Sequence, residues 1–228
     1  MSQVKQCTHN LFSKPQNFIP IQGPVGQLEA IVTPPVTESN CIMAVICHPH
    51  PLHGGTMQNK VVSTLARTFN DLGVWSIRFN FRGVGSSQGV YDHGIGETDD
   101  LLSILVWVKQ QFPSYQIWLA GFSFGAYIAI QSASRPEVKA EVKQLITIAP
   151  AVNHFDLPKD KKITCPWLLI MGEEDEIVPV DAVKKWIQER EFKVQARYLP
   201  QVGHFFHGHL TALKKHLYLA LADKVGKI

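Results

Sequence analysis

Residues 117–130 read Ile-Trp-Leu-Ala-Gly-Phe-Ser-Phe-Gly-Ala-Tyr-Ile-Ala-Ile, an apolar run that breaks at Gly121, presents Ser123, and resumes after Gly125 with helix-forming residues. A strand that turns sharply into a helix around one serine needs small residues on both sides of it, because the turn is strained and crowded. Gly121 and Gly125 are those residues, and the turn lifts a hydroxyl clear of a sheet edge. Gly-x-Ser-x-Gly by itself is common, and Ser123 also fits as a small residue in a tight turn. The apolar run before it and the helical run after it make the motif informative.

The rest of the chain supports a sheet of that kind. Phe18–Ile21 and Gln27–Val32, separated by Gly23-Pro24-Val25-Gly26, predict an antiparallel hairpin. Cys41 to Cys47 is a continuous apolar run, as expected of a strand covered on both faces. Helical spacing of Val61, Val62, Leu65, Ala66, Phe69 and Leu72 predicts a helix from about Lys60 to Leu72, stopped at Gly73. A strand at Val74–Phe81, a helix at Glu97–Gln111, and strands at Val142–Ile148 and Pro166–Met171 follow. A helix at Val180–Arg190, a strand at Val194–Leu199 and a final helix at Leu210–Val225 complete the series. This alternation predicts an α/β fold: a doubly wound, mostly parallel sheet with helices on both faces and an antiparallel N-terminal hairpin. No internal repeat or linker marks a second domain, so residues 1–228 are expected to form one domain, with 1–17 as a loosely ordered N-terminal arm. The longest irregular segment, about Ala151 to Thr164, is too short for a lid domain.

Charge and cysteine content exclude several function classes. A net charge of +3 is mild, and Lys159-Asp160-Lys161-Lys162 and Lys214-Lys215 suit a solvated surface better than a nucleic-acid footprint. No apolar run approaches the roughly 18 residues that cross a bilayer, and Met1 to Phe18 lacks a signal peptide's apolar core. Cys41, Cys47 and Cys165 sit in or beside strand-like runs without Cys-x-x-Cys spacing, which predicts reduced thiols and a cytoplasmic protein. No nucleic-acid or membrane partner is expected. The exposed edge of the Phe18–Val32 hairpin leaves a homo-oligomer open.

A serine hydroxyl is a weak nucleophile near neutral pH, so chemistry at Ser123 requires a histidine to accept its proton and a carboxylate to orient that histidine. Open α/β sheets gather functional loops at the carboxyl ends of their strands. Asp175 follows the strand ending at Met171, and His204 follows the strand ending at Leu199. The order Ser123, Asp175, His204 is that of α/β-hydrolases rather than of chymotrypsin or subtilisin. Glu173, Glu174 and Glu176 compete with Asp175, and His207 and His209 compete with His204. The glycines Gly83, Gly85 and Gly89 are spaced one residue too long for a dinucleotide fingerprint. His48-x-His50 and His207-x-His209 lack the His-Glu-x-x-His spacing of a helical zinc site. Neither a cofactor nor a metal is therefore expected.

On these residues the chain resembles the α/β-hydrolase superfamily over nearly its full length. Gly172-Glu173-Glu174-Asp175-Glu176-Ile177-Val178-Pro179 is similar to the family's acid loop, and Gly203-His204-Phe205-Phe206 to its histidine loop. His48-Pro49-His50-Pro51, Gly54-Gly55-Thr56-Met57, Asn59-Lys60 and Phe81-Arg82-Gly83-Val84-Gly85 resemble a group of small bacterial lidless hydrolases described as serine esterases. The resemblance implies a carboxylesterase-like serine hydrolase. Ser123 is its nucleophile, His204 its general base and Asp175 the orienting acid.

The oxyanion hole would combine the backbone N–H of Phe124 with one from the His48 loop. Pro49 and Pro51 have no N–H to give, which leaves His50 or Leu52 as the second donor; the resemblance implies His50, two residues past the loop's leading His48. A small or short-acyl ester is the expected substrate; Met57, Tyr91, Phe155 and Phe205 are candidates to line its pocket and fit the core equally well. Thioester hydrolysis, peptide cleavage and acyl transfer use the same chemistry and stay open. So does a non-catalytic binding module on the same fold, which an intact triad argues against.

Overall fold

The computed structural model describes residues 15–153, 162–190 and 192–225. Eight strands form one sheet: β1 (Asn17–Gly23), β2 (Gly26–Thr33), β3 (Ile42–Cys47), β4 (Trp75–Phe79), β5 (Gln116–Phe122), β6 (Val142–Ile148), β7 (Trp167–Gly172) and β8 (Gln195–Leu199). Their spatial order is β1-β2-β4-β3-β5-β6-β7-β8. β1 and β2 pair antiparallel, β2 runs antiparallel to β4, and every pairing from β4 to β8 is parallel. This is the expected mixed sheet with its N-terminal hairpin.

The helices are α1 (Lys60–Asp71), α2 (Ile95–Gln111), α3 (Phe124–Ala133), α4 (Pro136–Lys139), α5 (Val180–Glu189) and α6 (Leu210–Val225). The apolar residues of α1 and α6 pack on one face of the sheet with Ile42, Ala44 and Ile46. Those of α2 and α3 pack on the other with Met43, Val45 and Cys47. Successive residues of a strand point to opposite faces, so a strand covered on both sides must be apolar throughout. All six residues of β3 and of β7 are buried.

The chain leaves β3 through α1 to β4 on one side, then returns through α2 to β5 on the other. That reversal opens a crevice beyond the carboxyl ends of β3 and β5, the usual binding position in an open α/β sheet. The His48 loop and Ser123 both lie there.

Local boundaries differ modestly from expectation. β4 ends at Phe79 because Asn80 turns away to pair with Glu29 and Met57, and α2 starts two residues early at Ile95. Glu97 is why that start holds: its carboxylate accepts the N–H groups of Asp92 (2.8 Å) and Gly94 (2.7 Å). The short α4 was not foreseen, although Pro136 at its first position suits a helix start.

Cys47 and Cys165 are free thiols, and burial pushes both up in pKa. Cys41 departs from the expectation of reduced thiols: it is disulfide-bonded, half-buried at the entry to β3 rather than within the strand. Its partner lies outside the described residues. No described helix is long and apolar enough to cross a membrane.

Candidate active site

β5 delivers Ser123 to the crevice in a backbone conformation of φ 55°, ψ −117°, which non-glycine residues rarely adopt. The strain persists because neighbouring backbone holds it. Ser123 N–H donates to Ile148 O at 2.9 Å, and its carbonyl accepts from Ala126 (3.0 Å), Tyr127 (3.2 Å) and Ala151 (3.3 Å). The flanking glycines are required by space. A Cβ on Gly121 would stand 2.2 Å from the carbonyl of Gly125, and one on Gly125 would stand 2.4 Å from the carbonyls of Cys47 and His48. Close approach of α3 to the end of β3 is thus what brings the serine beside the His48 loop.

His204 reaches Ser123 from the loop after β8. Its Nε2 lies 2.9 Å from Ser123 Oγ and its Nδ1 2.8 Å from Asp175 Oδ2. In the neutral ring Nδ1 faces the carboxylate and carries the hydrogen, leaving Nε2 to accept from the serine. The other oxygen of Asp175 accepts the N–H groups of Ile177 (3.0 Å) and Val178 (2.7 Å), so the buried carboxylate is fixed by the loop that bears it. Phe122 and Phe205 pack near the imidazole, with ring centroids 5.1 and 5.0 Å away. Among the competing residues, Glu173 and Glu174 are exposed and bind no histidine ring, while His207 is exposed, His209 is half-buried, and neither lines the cavity.

Glu176 has a different place. Its Oε2 accepts the backbone N–H of His204 at 3.0 Å, in the space that Gly203 leaves by lacking a side chain. Successive residues of the acid loop therefore hold His204 twice, Asp175 by the ring and Glu176 by the main chain.

A cavity of about 400 Å³ opens over Ser123, lined by Pro49, His50, His53, Gly54 and Gly55 of the His48 loop, by Asn59 and Phe124, and by Ala151, Ile177, His204 and Phe205. That volume suits a small ligand. His50 is tied from both ring nitrogens: Nδ1 accepts Leu52 N–H at 3.2 Å, and Nε2 lies 3.1 Å from the hydroxyl of Tyr91. The Leu52 amide is thereby engaged, and Leu52 itself does not line the cavity.

His48, fully buried, links two loops. Its Nε2 accepts Phe81 N–H at 3.1 Å and its Nδ1 lies 2.6 Å from Pro49 O, so the ring is neutral with the hydrogen on Nδ1. Burial lowers its pKa from 6.5 to about 4, against the smaller opposing effect of the Pro49 carbonyl.

The pocket residues expected from sequence fare unevenly. Phe205 lines the cavity. Met57 does not: it is buried in the core, with its N–H held by Asn80 and its carbonyl by Arg78. Tyr91 stands behind His50 rather than in the wall, its ring 4.9 Å from the imidazole. Phe155 lies outside the described residues. Sequence reasoning missed Asn59, Ala151 and Ile177 as lining residues.

The Arg82 loop is structural. The Arg82 guanidinium and its own N–H both bind the buried carboxylate of Asp100, with a shortest contact of 2.7 Å. Among the described residues, no group of three or more histidines, cysteines or carboxylates gathers in a form that could hold a metal ion.

Comparison with known proteins agrees with this architecture. Residues 50–158 match the family model described as serine aminopeptidase, S33. The uncharacterized protein RP471 of Rickettsia prowazekii is 36% identical over 193 residues, covering 81% of this chain and 79% of that protein. Among solved structures, an alpha-beta serine hydrolase homologue from Coxiella burnetii is 44% identical with a TM-score of 0.87, over 92% of this chain and 100% of that one. XC6422 from Xanthomonas campestris, a serine hydrolase without lid, is 39% identical with a TM-score of 0.87, over 94% of this chain and 97% of its own. Fold and site together define a hydrolase-type α/β protein. The chain belongs to the α/β-hydrolase superfamily, in which it is similar to a serine hydrolase homologue and to a serine hydrolase without lid.

Proposed function

We propose that this chain hydrolyses small carboxylic esters through a covalent acyl-enzyme. The observation that carries this reading is the hydrogen-bonded run Ser123–His204–Asp175 at the floor of a cavity of about 400 Å³. Ser123 Oγ attacks the ester carbonyl carbon while its proton passes to His204 Nε2, and Asp175 stabilises the imidazolium that forms. The tetrahedral oxyanion is held by the backbone N–H groups of Phe124 and His50. His50 is the better second donor because Leu52 already donates to the His50 ring. As the tetrahedral species collapses, the bond to the alcohol breaks and His204 returns its proton to the leaving oxygen. Water then attacks the acyl-enzyme with the same base, releasing the acid and restoring Ser123.

The aminopeptidase named by the family description is the competing reaction on these residues. Recognition of a free amino terminus calls for a carboxylate near the acyl site, and no acidic residue is among the described residues that line the cavity. The lining is mostly apolar, which favours a neutral ester.

Wild-type protein should be assayed on matched p-nitrophenyl esters, alkyl thioesters and aminoacyl p-nitroanilides. Ester turnover is expected to exceed anilide turnover by about 100-fold or more in kcat/KM. Faster cleavage of the anilides or the thioesters would replace the ester reading by a peptidase or a thioesterase.

A further inference from the structure

Asn59 is the residue of the cavity wall whose hydrogen-bonding capacity is left over. It is the N-cap of α1: its Oδ1 accepts Val61 N–H at 2.9 Å, its N–H donates to Thr56 O at 3.0 Å, and its carbonyl accepts from Ser63 at 2.8 Å. Only oxygen can accept from Val61, so the amide is oriented and its NH₂ is the free end. Among the described residues that NH₂ has no acceptor. The other polar side chains of the wall are differently placed. Ser123 and His204 bind each other, the His50 ring is held by Leu52 and Tyr91, and His53 is exposed at the rim against His50. The remaining lining is glycine, proline, alanine, isoleucine and phenylalanine.

A mostly apolar cavity with one oriented side-chain amide beside the backbone donors of the oxyanion sorts ligands by whether they place a second acceptor opposite that amide. We propose that Asn59 is a specificity-determining residue, its NH₂ donating to an oxygen of the substrate outside the scissile ester group. The preferred substrates are then small esters whose acyl or alcohol part carries a ketone, ether or hydroxyl oxygen. Plain alkyl esters of the same size leave the donor unpaired when they displace water from it. The inference rests on the ester-hydrolase reading above and adds which esters are chosen.

Two size-matched pairs test it: p-nitrophenyl levulinate against p-nitrophenyl 4-methylpentanoate, and methoxyethyl acetate against butyl acetate. Wild type is expected to favour the oxygenated member of at least one pair by about 10-fold in kcat/KM, the size of one neutral hydrogen bond. Asn59→Ser and Asn59→Asp each retain an oxygen to cap Val61, so α1 should still form, as a thermal melt can check. Both remove the NH₂, and in both the preference should fall towards parity. No preference in either pair, or one that survives both substitutions, would overturn the inference. Ser123→Ala separates the two levels: residual turnover there removes the ester-hydrolase reading itself, whereas loss of turnover with an unchanged ratio in the Asn59 variants removes only the role of Asn59.

Discussion

His204 Nε2 stands 2.9 Å from Ser123 Oγ although 81 positions of chain separate the two residues. The contact is made by parallel strands whose carboxyl ends lie side by side, β5 bearing the serine and β7 and β8 the loops of Asp175 and His204. Its geometry therefore depends on supports remote from the reacting atoms, and these supports can be tested separately.

Gly125 is the closest packed of them. Gly125→Ala places a methyl group 2.4 Å from the carbonyls of Cys47 and His48, neither of which can yield without moving β3. We expect a loss of stability of about 3 kcal/mol or more, or no soluble protein, read from the urea midpoint. A variant of wild-type stability would show that the elbow can open enough to admit the methyl group.

Glu176 should act through the main chain of His204. Glu176→Ala removes the acceptor of the His204 N–H and is expected to lower kcat about 10-fold with little change in KM, because the histidine's position matters most in the transition state. Glu176→Gln keeps an acceptor oxygen and should recover most of that loss. Equal kcat in Glu176→Ala and wild type would assign Glu176 no positioning role.

His48 should impose a pH dependence on stability. The folded protein holds it neutral to about pH 4, whereas the unfolded chain protonates it near 6.5. Between these values the unfolded state binds the extra proton. The stability this site contributes is therefore complete above about pH 6.5, declines as the pH falls, and is lost near pH 4. The difference amounts to about 3 kcal/mol. Urea melts at pH 7 and pH 4.5 check this against His48→Asn, which does not titrate. The wild-type minus variant difference should shrink at the lower pH, and a constant difference would contradict it.

Asp100 should be more costly to remove than to replace together with its partner. Asp100→Asn leaves the buried Arg82 guanidinium with only the longer, 3.9 Å contact to the half-exposed carboxylate of Asp92 and is expected to cost about 3 kcal/mol. Arg82→Met with Asp100→Leu should recover part of that, although the Arg82 N–H also loses its acceptor. Thermal melts of the single and double variants decide it, and additive losses would refute the coupling.

Much of this arrangement was legible in the sequence because it is written locally. An apolar run that meets Gly121-Phe122-Ser123-Phe124-Gly125 and continues in helix formers is a statement about adjacent residues, and so is the placement of Asp175 and His204 just after strands. What escaped depends on distant backbone. Glu176 looked like one of several acids near Asp175, and its partner is a main-chain N–H 28 positions away. Met57 fitted pocket lining and core equally well by sequence, and capture of its N–H by Asn80 places it in the core. Asn59 stood only in a motif just before the helix expected from about Lys60, and the direction of its amide depends on which atom Val61 binds. The Cys41 disulfide had no spacing signal at all.

The central claim is that Ser123 forms the acyl-enzyme, and one measurement addresses it directly. Wild type and Ser123→Ala, both shown to be folded by thermal melt, are incubated with p-nitrophenyl acetate, and initial turnover is compared. We expect the variant to lose about 10⁴-fold or more in kcat. Turnover by the folded variant within about 10-fold of wild type would place the nucleophile elsewhere and contradict the account.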